Sequence, residues 1–279
     1  MEQDTAIPRS FLWRGGAFHL HSKQDAPKEH DLHAHFAMQL TVGLRETVSL
    51  RSGRGEPERL ASGWLIGSGQ PHLMEGGGAA IVILIDPLSQ VGRRLCARLA
   101  GADPVPLSEA ECERVLAEFE RGRLGRWDMQ SVRAAVGRTM DLLAPDMVSD
   151  DPIDPRVRSA VDFLMLESDQ NISLTDLAAR AGVSESRLAH LFRRDVGLPM
   201  RQYRLALRME EAVKQISLGL SLADAAQAAG FSDSAHFCRI CRRMFGNVPS
   251  CLPDFEADDA RLRRARRRLK DLRRRDFLC

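Results

Sequence analysis

The feature that most constrains this chain is an internal duplication. Ser173-Leu-Thr-Asp-Leu-Ala-Ala-Arg-Ala-Gly-Val-Ser184 aligns with Ser221-Leu-Ala-Asp-Ala-Ala-Gln-Ala-Ala-Gly-Phe-Ser232 at an offset of 48 residues. Each copy opens with Ser-x-x-Asp, an N-cap hydroxyl with an acid in the first turn. Each continues as a short Ala-rich helix, which permits close packing. Each ends that helix at a glycine, Gly182 or Gly230, suited to a left-handed C′ position. Each resumes at a second candidate N-cap, Ser184 or Ser232. The helix that follows is amphipathic in both copies. Leu188, Leu191 and Phe192 share one face of the first; Phe237, Ile240, Cys241, Met244 and Phe245 share one face of the second. The opposite faces carry His190, Arg193 and Arg194, then His236, Arg239, Arg242 and Arg243. Leu205, Met209, Ala212 and Ile216 give a joining helix its stripe.

A short support helix, a glycine turn and a helix with one apolar and one basic face form the helix-turn-helix pattern. Two such helices on a rigid connector can enter successive major grooves, about 34 Å apart. A helical bundle with merely solvated charges is the plainer reading, and the matched caps, glycines and basic faces argue against it.

Residues 155–253 resemble the DNA-binding domain of AraC-type (arabinose-regulator) transcription factors. The resemblance rests on Gly230-Phe-Ser-Asp233, Phe237, Arg239, Phe245-Gly246 and Pro249, and in the first unit on Leu188, Phe192, Gly197, Pro199, Tyr203 and Arg208. Departures are Cys241 at a position where the family usually buries Phe, Cys238 where a small polar residue is common, and Ser250-Cys-Leu-Pro253 at the end. The resemblance implies groove-facing residues Ser186, Arg187, Ala189 and His190 in the first unit, and Ser234, Ala235, His236, Cys238 and Arg239 in the second. Arg239 is the strongest candidate base reader, since arginine bonds bidentately to guanine; phosphate contact or an internal salt bridge is the alternative. Arg193, Arg194, Arg242 and Arg243 suit phosphates, which position a protein without reading sequence. Cys238 and Cys241 form a C-x-x-C without a second ligand pair at metal spacing. A small core residue at Cys241 and a surface residue at Cys238 is the reading preferred over metal or redox use.

Composition agrees with a two-part chain. At 279 residues, 44% hydrophobic and 28% charged, it has the length for two domains and the apolar content for buried cores. The net charge of +2 conceals a balance of −3 over residues 1–150 and +5 over residues 151–279, so the second half is the one suited to a polyanion. No apolar run approaches the roughly 20 residues of a membrane helix, the N-terminus lacks a signal-peptide pattern, and six cysteines are too sparse for a disulfide scaffold. These observations point to a cytoplasmic protein that does not enter membranes.

The first half reads as strands at Phe36–Val42, Thr47–Arg51, Gly63–Ile66 and Ala79–Ile85, then helices at about 89–100, 108–121 and 128–143. Ser108-x-x-Glu111 is a capping box. Strands then helices resemble the sensor half of AraC-type regulators, a cupin-like β-barrel followed by helices. The expected fold is therefore α+β: a cupin-like barrel and helices over 1–144, a linker over 145–155, an all-α domain of two helix-turn-helix units over 156–253, and an Arg-rich tail over 254–279. His33-x-His35-x-x-x-Gln39 is similar to the first cupin metal motif, with Gln for the usual Glu, and His72 falls where the second motif supplies a histidine. His33, His35, Gln39 and His72 are thus candidates for an effector or divalent-metal site, while His19, His21 and His30 read as loop or surface residues. No cofactor is required. Val115, Leu116 and Phe119, with Val132, Val136 and Met140, form stripes that suit either a dimer seam or packing on the barrel. The tail holds nine Arg and one Lys over residues 261–275, either a phosphate-binding extension or a solvated end.

The expected function is a non-enzymatic, sequence-specific transcription regulator. Its partners would be double-stranded DNA and a small effector, and the family resemblance adds RNA polymerase and a second copy of the chain. The rival readings are a metal-dependent cupin enzyme with an appended helical domain, and an effector-free DNA binder.

Overall fold

The computed structural model describes residues 10–13, 15–21, 31–75, 78–99, 104–121, 127–144, 153–166, 172–251 and 256–257. Period-two alternation builds the first half. Strands β1 (Ser10–Trp13), β2 (Gly16–His21), β3 (Met38–Gly43), β4 (Val48–Arg51), β5 (Arg59–Ala61), β6 (Gly63–Ile66), β7 (Leu73–Glu75) and β8 (Ala80–Ile85) precede helix α1 (Gln90–Leu99). A short strand β9 (Val105–Pro106) leads into α2 (Glu109–Arg121) and α3 (Met129–Leu143). The capping box at α2 is formed: the Ser108 N–H donates to Glu111 Oε2 at 2.9 Å, and the Glu111 N–H donates to Ser108 Oγ at 3.3 Å.

Met38, Leu40 and Val42 of β3, Leu65 of β6 and Ile81, Ile83 and Ile85 of β8 point to one side of the main sheet. There they form a core with Leu95 of α1, Val115 and Phe119 of α2, and Val132, Val136 and Met140 of α3. The stripes on α2 and α3 are therefore consumed inside the chain, packed on the sheet. On the other side, Trp64 and Ile66 pack with Leu50, Val48 and Met74 of a second, three-stranded sheet, β5-β4-β7.

The main sheet runs in the order β10-β1-β2-β8-β3-β6-β9, where β10 is Glu256–Ala257. Among the described residues it does not close into the expected barrel. Closure requires the two edge strands to pair with each other, and these edges are two-residue strands at opposite ends of the order. What stands is a mixed α/β half of two open sheets with helices on one face.

The second half is helical: α4 (Pro155–Leu166), α5 (Leu174–Arg180), α6 (Glu185–Val196), α7 (Met200–Ser217), α8 (Leu222–Ala228) and α9 (Ser234–Phe245), then a 3₁₀ turn over Pro249–Cys251. The caps act as expected at α5, α6 and α8. Ser173, Ser184 and Ser221 accept from the backbone N–H three residues on. Gly182 and Gly230 take positive φ, 65° and 76°. The cap of α9 differs by one residue from expectation. Asp233, not Ser232, receives the His236 N–H at 2.6 Å, while Ser232 Oγ donates to Asp233 Oδ2 at 3.0 Å. A carboxylate is the stronger acceptor and suits the positive end of the helix dipole.

Two cores hold these helices. Leu188, Leu191 and Phe192 of α6 pack with Val157, Val161 and Leu164 of α4 and with Tyr203. Phe237, Ile240, Cys241 and Met244 of α9 pack with Met209, Ala212, Ala226 and Phe231. The second core also takes in Ala17, Leu12 and Leu84 from the main sheet, so the helical half sits on the sheet face opposite α1–α3. β10 pairs in parallel with β1, Phe11 opposite Glu256, and returns the chain to that sheet. Residues 145–152 of the expected linker, His30, and the tail apart from Glu256–Ala257 lie outside the described residues.

Candidate nucleic-acid interface and histidine cluster

The basic faces of α6 and α9 are on the surface. Ser186, Arg187, Ala189, His190, Arg193 and Arg194 are exposed on α6, as are Ala235, Arg239, Arg242 and Arg243 on α9. Ser234, His236 and Cys238 are half-buried, and Cys241 is fully buried in the second core. The structure thus separates the two cysteines as expected: one lines the core, the other faces outward.

Three of the candidates already hold partners in the chain. Arg194 Nε donates to Asp195 Oδ1 at 2.5 Å, and Asp195 Oδ2 accepts the Asp154 N–H at 2.8 Å, which ties α6 to the start of α4. Arg242 Nε lies 2.9 Å from Asp31 Oδ2. His236 Nδ1 lies 3.2 Å from Ser232 Oγ, and its ring meets Phe231 edge-on at 5.6 Å. His236 therefore helps to shape the start of α9 as well as facing outward. The His236 N–H, with Ser232 behind it, holds the Asp233 carboxyl below the usual carboxylate range.

The histidines converge at the joint between the halves. His33 and His72 form an antiparallel bridge, with the His33 N–H donating to His72 O at 3.0 Å and the His72 N–H donating to His33 O at 2.8 Å. Their ring centroids are 4.3 Å apart, and His35 is 5.0 Å from His72. One ring nitrogen from each of the three lies within 4.8 Å of the others. Nδ1 of His33 faces Asp31 O at 2.9 Å, Nδ1 of His35 faces Ala37 O at 2.7 Å, and Nδ1 of His72 faces Gln70 O at 2.9 Å. A carbonyl only accepts, so all three Nδ1 atoms carry hydrogen and a neutral ring has its lone pair on Nε2.

His35 Nε2 lies 3.0 Å from Gln39 Oε1, so a neutral ring with its lone pair on Nε2 requires the Gln39 amide to turn its N–H toward it. Gln39 in turn reaches Thr41 Oγ1 at 3.0 Å. His72 Nε2 is buried without a hydrogen-bond partner among the described residues. Burial holds the His35 imidazole below the usual histidine range, against the bonds to Gln39 and Ala37. Burial, with His35 and His33 beside it, holds His72 well below that range. Both are therefore neutral at pH 7, the form that ligates metals.

His19 and His21, expected in loops or at the surface, stand half-buried on β2, where His19 Nδ1 lies 2.8 Å from Ser10 Oγ. Asp31 and Phe36 were invisible as joint residues. The Asp31 N–H donates to Gly246 O at 3.0 Å. Phe36, read above as the start of a strand, leaves the sheet and packs edge-on against Tyr203 at 4.9 Å. An aromatic residue next to a strand was the only sequence signal, and it named no partner.

Residues 177–252 match the helix-turn-helix domain family. The arabinose operon regulatory protein of Escherichia coli is 31% identical over 101 residues, 36% of this chain and 35% of that protein. The transcriptional activator NphR of Rhodococcus is 38% identical over 82 residues, 29% of this chain and 24% of that protein. Over this stretch the helical half of the chain is similar to these regulators. The match spans about a third or less of these relatives' own lengths.

The fold likeness reaches further. Apo ToxT of Vibrio cholerae superposes with a TM-score of 0.58 at 10% identity, covering 85% of this chain and 96% of that one. ToxT bound to an unsaturated fatty acid gives 0.53 at 12% identity, covering 90% and 96%. At such identity the likeness concerns the fold alone: a helical half on a mixed α/β half. No helix among the described residues is long and apolar enough to cross a membrane.

Proposed function

We propose that the protein is a sequence-specific DNA-binding transcription regulator. In this reading α5–α6 and α8–α9 are its two helix-turn-helix units, within a domain spanning 156–253, and residues 1–144 form a sensor related to the cupin fold, joined through 145–155. The observation that carries it is the pairing of α6 and α9. Each buries an apolar face in its own core and leaves a basic face exposed, and the two share the connector α7. Arg239 reads a guanine. Arg193 and Arg243 bind phosphates, and Arg194 and Arg242 join them once released from Asp195 and Asp31. Ser186 and Ala189 are small, so the first unit, with Arg187 and His190 beside them, is suited to clamping more than to reading. The sensor half takes a small effector, a reading supported by the fold shared with a ligand-bound ToxT.

Footprinting on DNA flanking its own gene tests the assignment. Wild type should protect two half-sites one helical turn apart, and Arg239→Ala should lose one of them. A wild type with no preferred site, or a variant with an unchanged footprint, overturns the base-reading role.

A further inference from the structure

We propose that His33, His35 and His72 bind one divalent transition-metal ion, and that the bound ion locks the strap Asp31–Phe36 onto both helix pairs and so weakens DNA binding. The DNA clause rests on the regulator reading above; the metal and the lock do not.

The donor set is the first argument. All three imidazoles commit Nδ1–H to a backbone carbonyl, and one ring nitrogen of each lies within 4.8 Å of the others. That outer-shell bond orients the ring and fixes the tautomer in histidine ligands. His72 supplies the second argument. Its Nε2 is fully buried with no hydrogen-bond partner among the described residues, an arrangement that costs stability unless something binds there. Three imidazoles with an open fourth position suit Zn(II) and its neighbours Co(II) and Ni(II), and not the oxygen-seeking Mg(II) or Ca(II). At Zn–N distances of about 2.1 Å, tetrahedral ligands stand about 3.4 Å apart. Nitrogens within 4.8 Å of one another must draw in, and Gln39 must release His35.

The lock follows from where the histidines lie in the chain. The strap has two anchors. At one end, Asp31 bonds Gly246 O through its N–H and Arg242 through its carboxylate, at the C-terminus of α9. At the other, Phe36 packs on Tyr203, whose ring meets Phe192 of α6 at 5.6 Å. His33 and His35 are between these anchors. The first is also tight: a Cβ at Gly246, whose φ is +71°, would stand 2.6 Å from Asp31 O and 2.7 Å from His33 Nδ1. Drawing His33 and His35 onto an ion therefore acts at the C-terminus of α9 and, through Tyr203 of α7, on the core face of α6. With the strap docked, Arg242 pairs with Asp31 and a carboxylate stands where a phosphate would approach. Metal and DNA then oppose each other reciprocally, as linked ligands must.

The test uses the full chain and Co(II) as a spectroscopic probe. Wild type should bind one equivalent with visible absorption of a low-coordinate site, and His72→Asn and His33→Ala should not. His33 is half-buried, so its variant keeps the test alive if the His72 variant fails to fold. Hydrogen exchange of the amides over 31–36 and 242–246 should slow on metal addition in wild type and be unchanged in His33→Ala. On a duplex from the region upstream of its own gene, Zn(II) should weaken wild-type binding by about tenfold relative to chelator. Asp31→Ala should bind Co(II) as wild type does but hold DNA equally with and without Zn(II).

Absence of stoichiometric Co(II), or Co(II) binding that leaves exchange over 242–246 unaltered, overturns the proposal. If wild type binds no DNA in either buffer, the regulator reading and the DNA clause fall together, and the exchange measurement decides the lock alone. Zn-insensitive DNA binding with intact exchange protection overturns the DNA clause only.

Discussion

The two helix pairs began as copies, and the differences between them show how tertiary structure puts a duplication to different uses. The support helices α5 and α8 align at an offset of 48 residues, but Gly197 and Gly246, which close α6 and α9, are 49 apart. The extra residue is in the second turn, where Asp233 takes over the cap. The cores differ as well: α6 places Phe192 against Tyr203, while α9 has Cys241 at the corresponding place. The first pair meets the β half through Phe36; the second meets it through the sheet face and through the Asp31 strap. A second unit with a smaller core side chain leans on a neighbour that the first does not need to the same extent.

The largest test of that contrast concerns packing. Phe192→Ala should cost about 3–5 kcal/mol in urea unfolding, since it empties a large volume beside Tyr203. Cys241→Ala removes one sulfur and should cost about 1 kcal/mol. Equal costs would show that the two cores are equivalent after all. On DNA, Arg239→Ala should lose about 1–3 kcal/mol of affinity and relax specificity at one base pair. His190→Ala in the first unit should lose less, measured by fluorescence anisotropy on the same duplex. The reverse order would make the first unit the reader.

The two halves should also fail at different acidities. His35 and His72 have folded pKa values below the ordinary 6.5, so the unfolded chain binds more protons. The stability they confer is complete above about 6.5 and falls as pH drops below it. In chelator, the melting temperature should therefore decline from pH 7 to pH 5, with less slope in His72→Asn. Near α9 the window is lower. Asp233 is depressed from 3.8, so its cap contributes fully above that pH and is lost as pH falls from there through its lower folded value. Asp233→Ala should destabilise at pH 7 and do little near pH 2. The uncharged cap of α6 carries no such dependence: Ser184→Ala should cost about 1 kcal/mol at either pH.

Where a signal is written in neighbouring residues, the sequence could be read. Strands β3, β4, β6 and β8 and helices α1, α2 and α3 fall within two residues of their expected bounds, because alternation and caps are local. Strands β1, β2, β5, β7, β9 and β10 went unread, all but β2 being four residues or fewer. Their pairing comes from distant partners, not from their own pattern. The candidate site divides in the same way. The basic faces of α6 and α9 followed from helical period alone. That three histidines share one centre was suggested by the resemblance to the cupin motifs, but that Asp31 and Phe36 carry this centre to both helix pairs was not.

The chain alone determined that two capped, amphipathic, basic helices would form, since a helix face and its caps are set by residues three or four positions apart. Only the tertiary structure decided that the sheets stay open among the described residues, that the stripes on α2 and α3 are spent on the sheet, and that the histidine strap reaches the end of α9. Those outcomes depend on which distant surfaces bury each other, and no local period encodes such a choice.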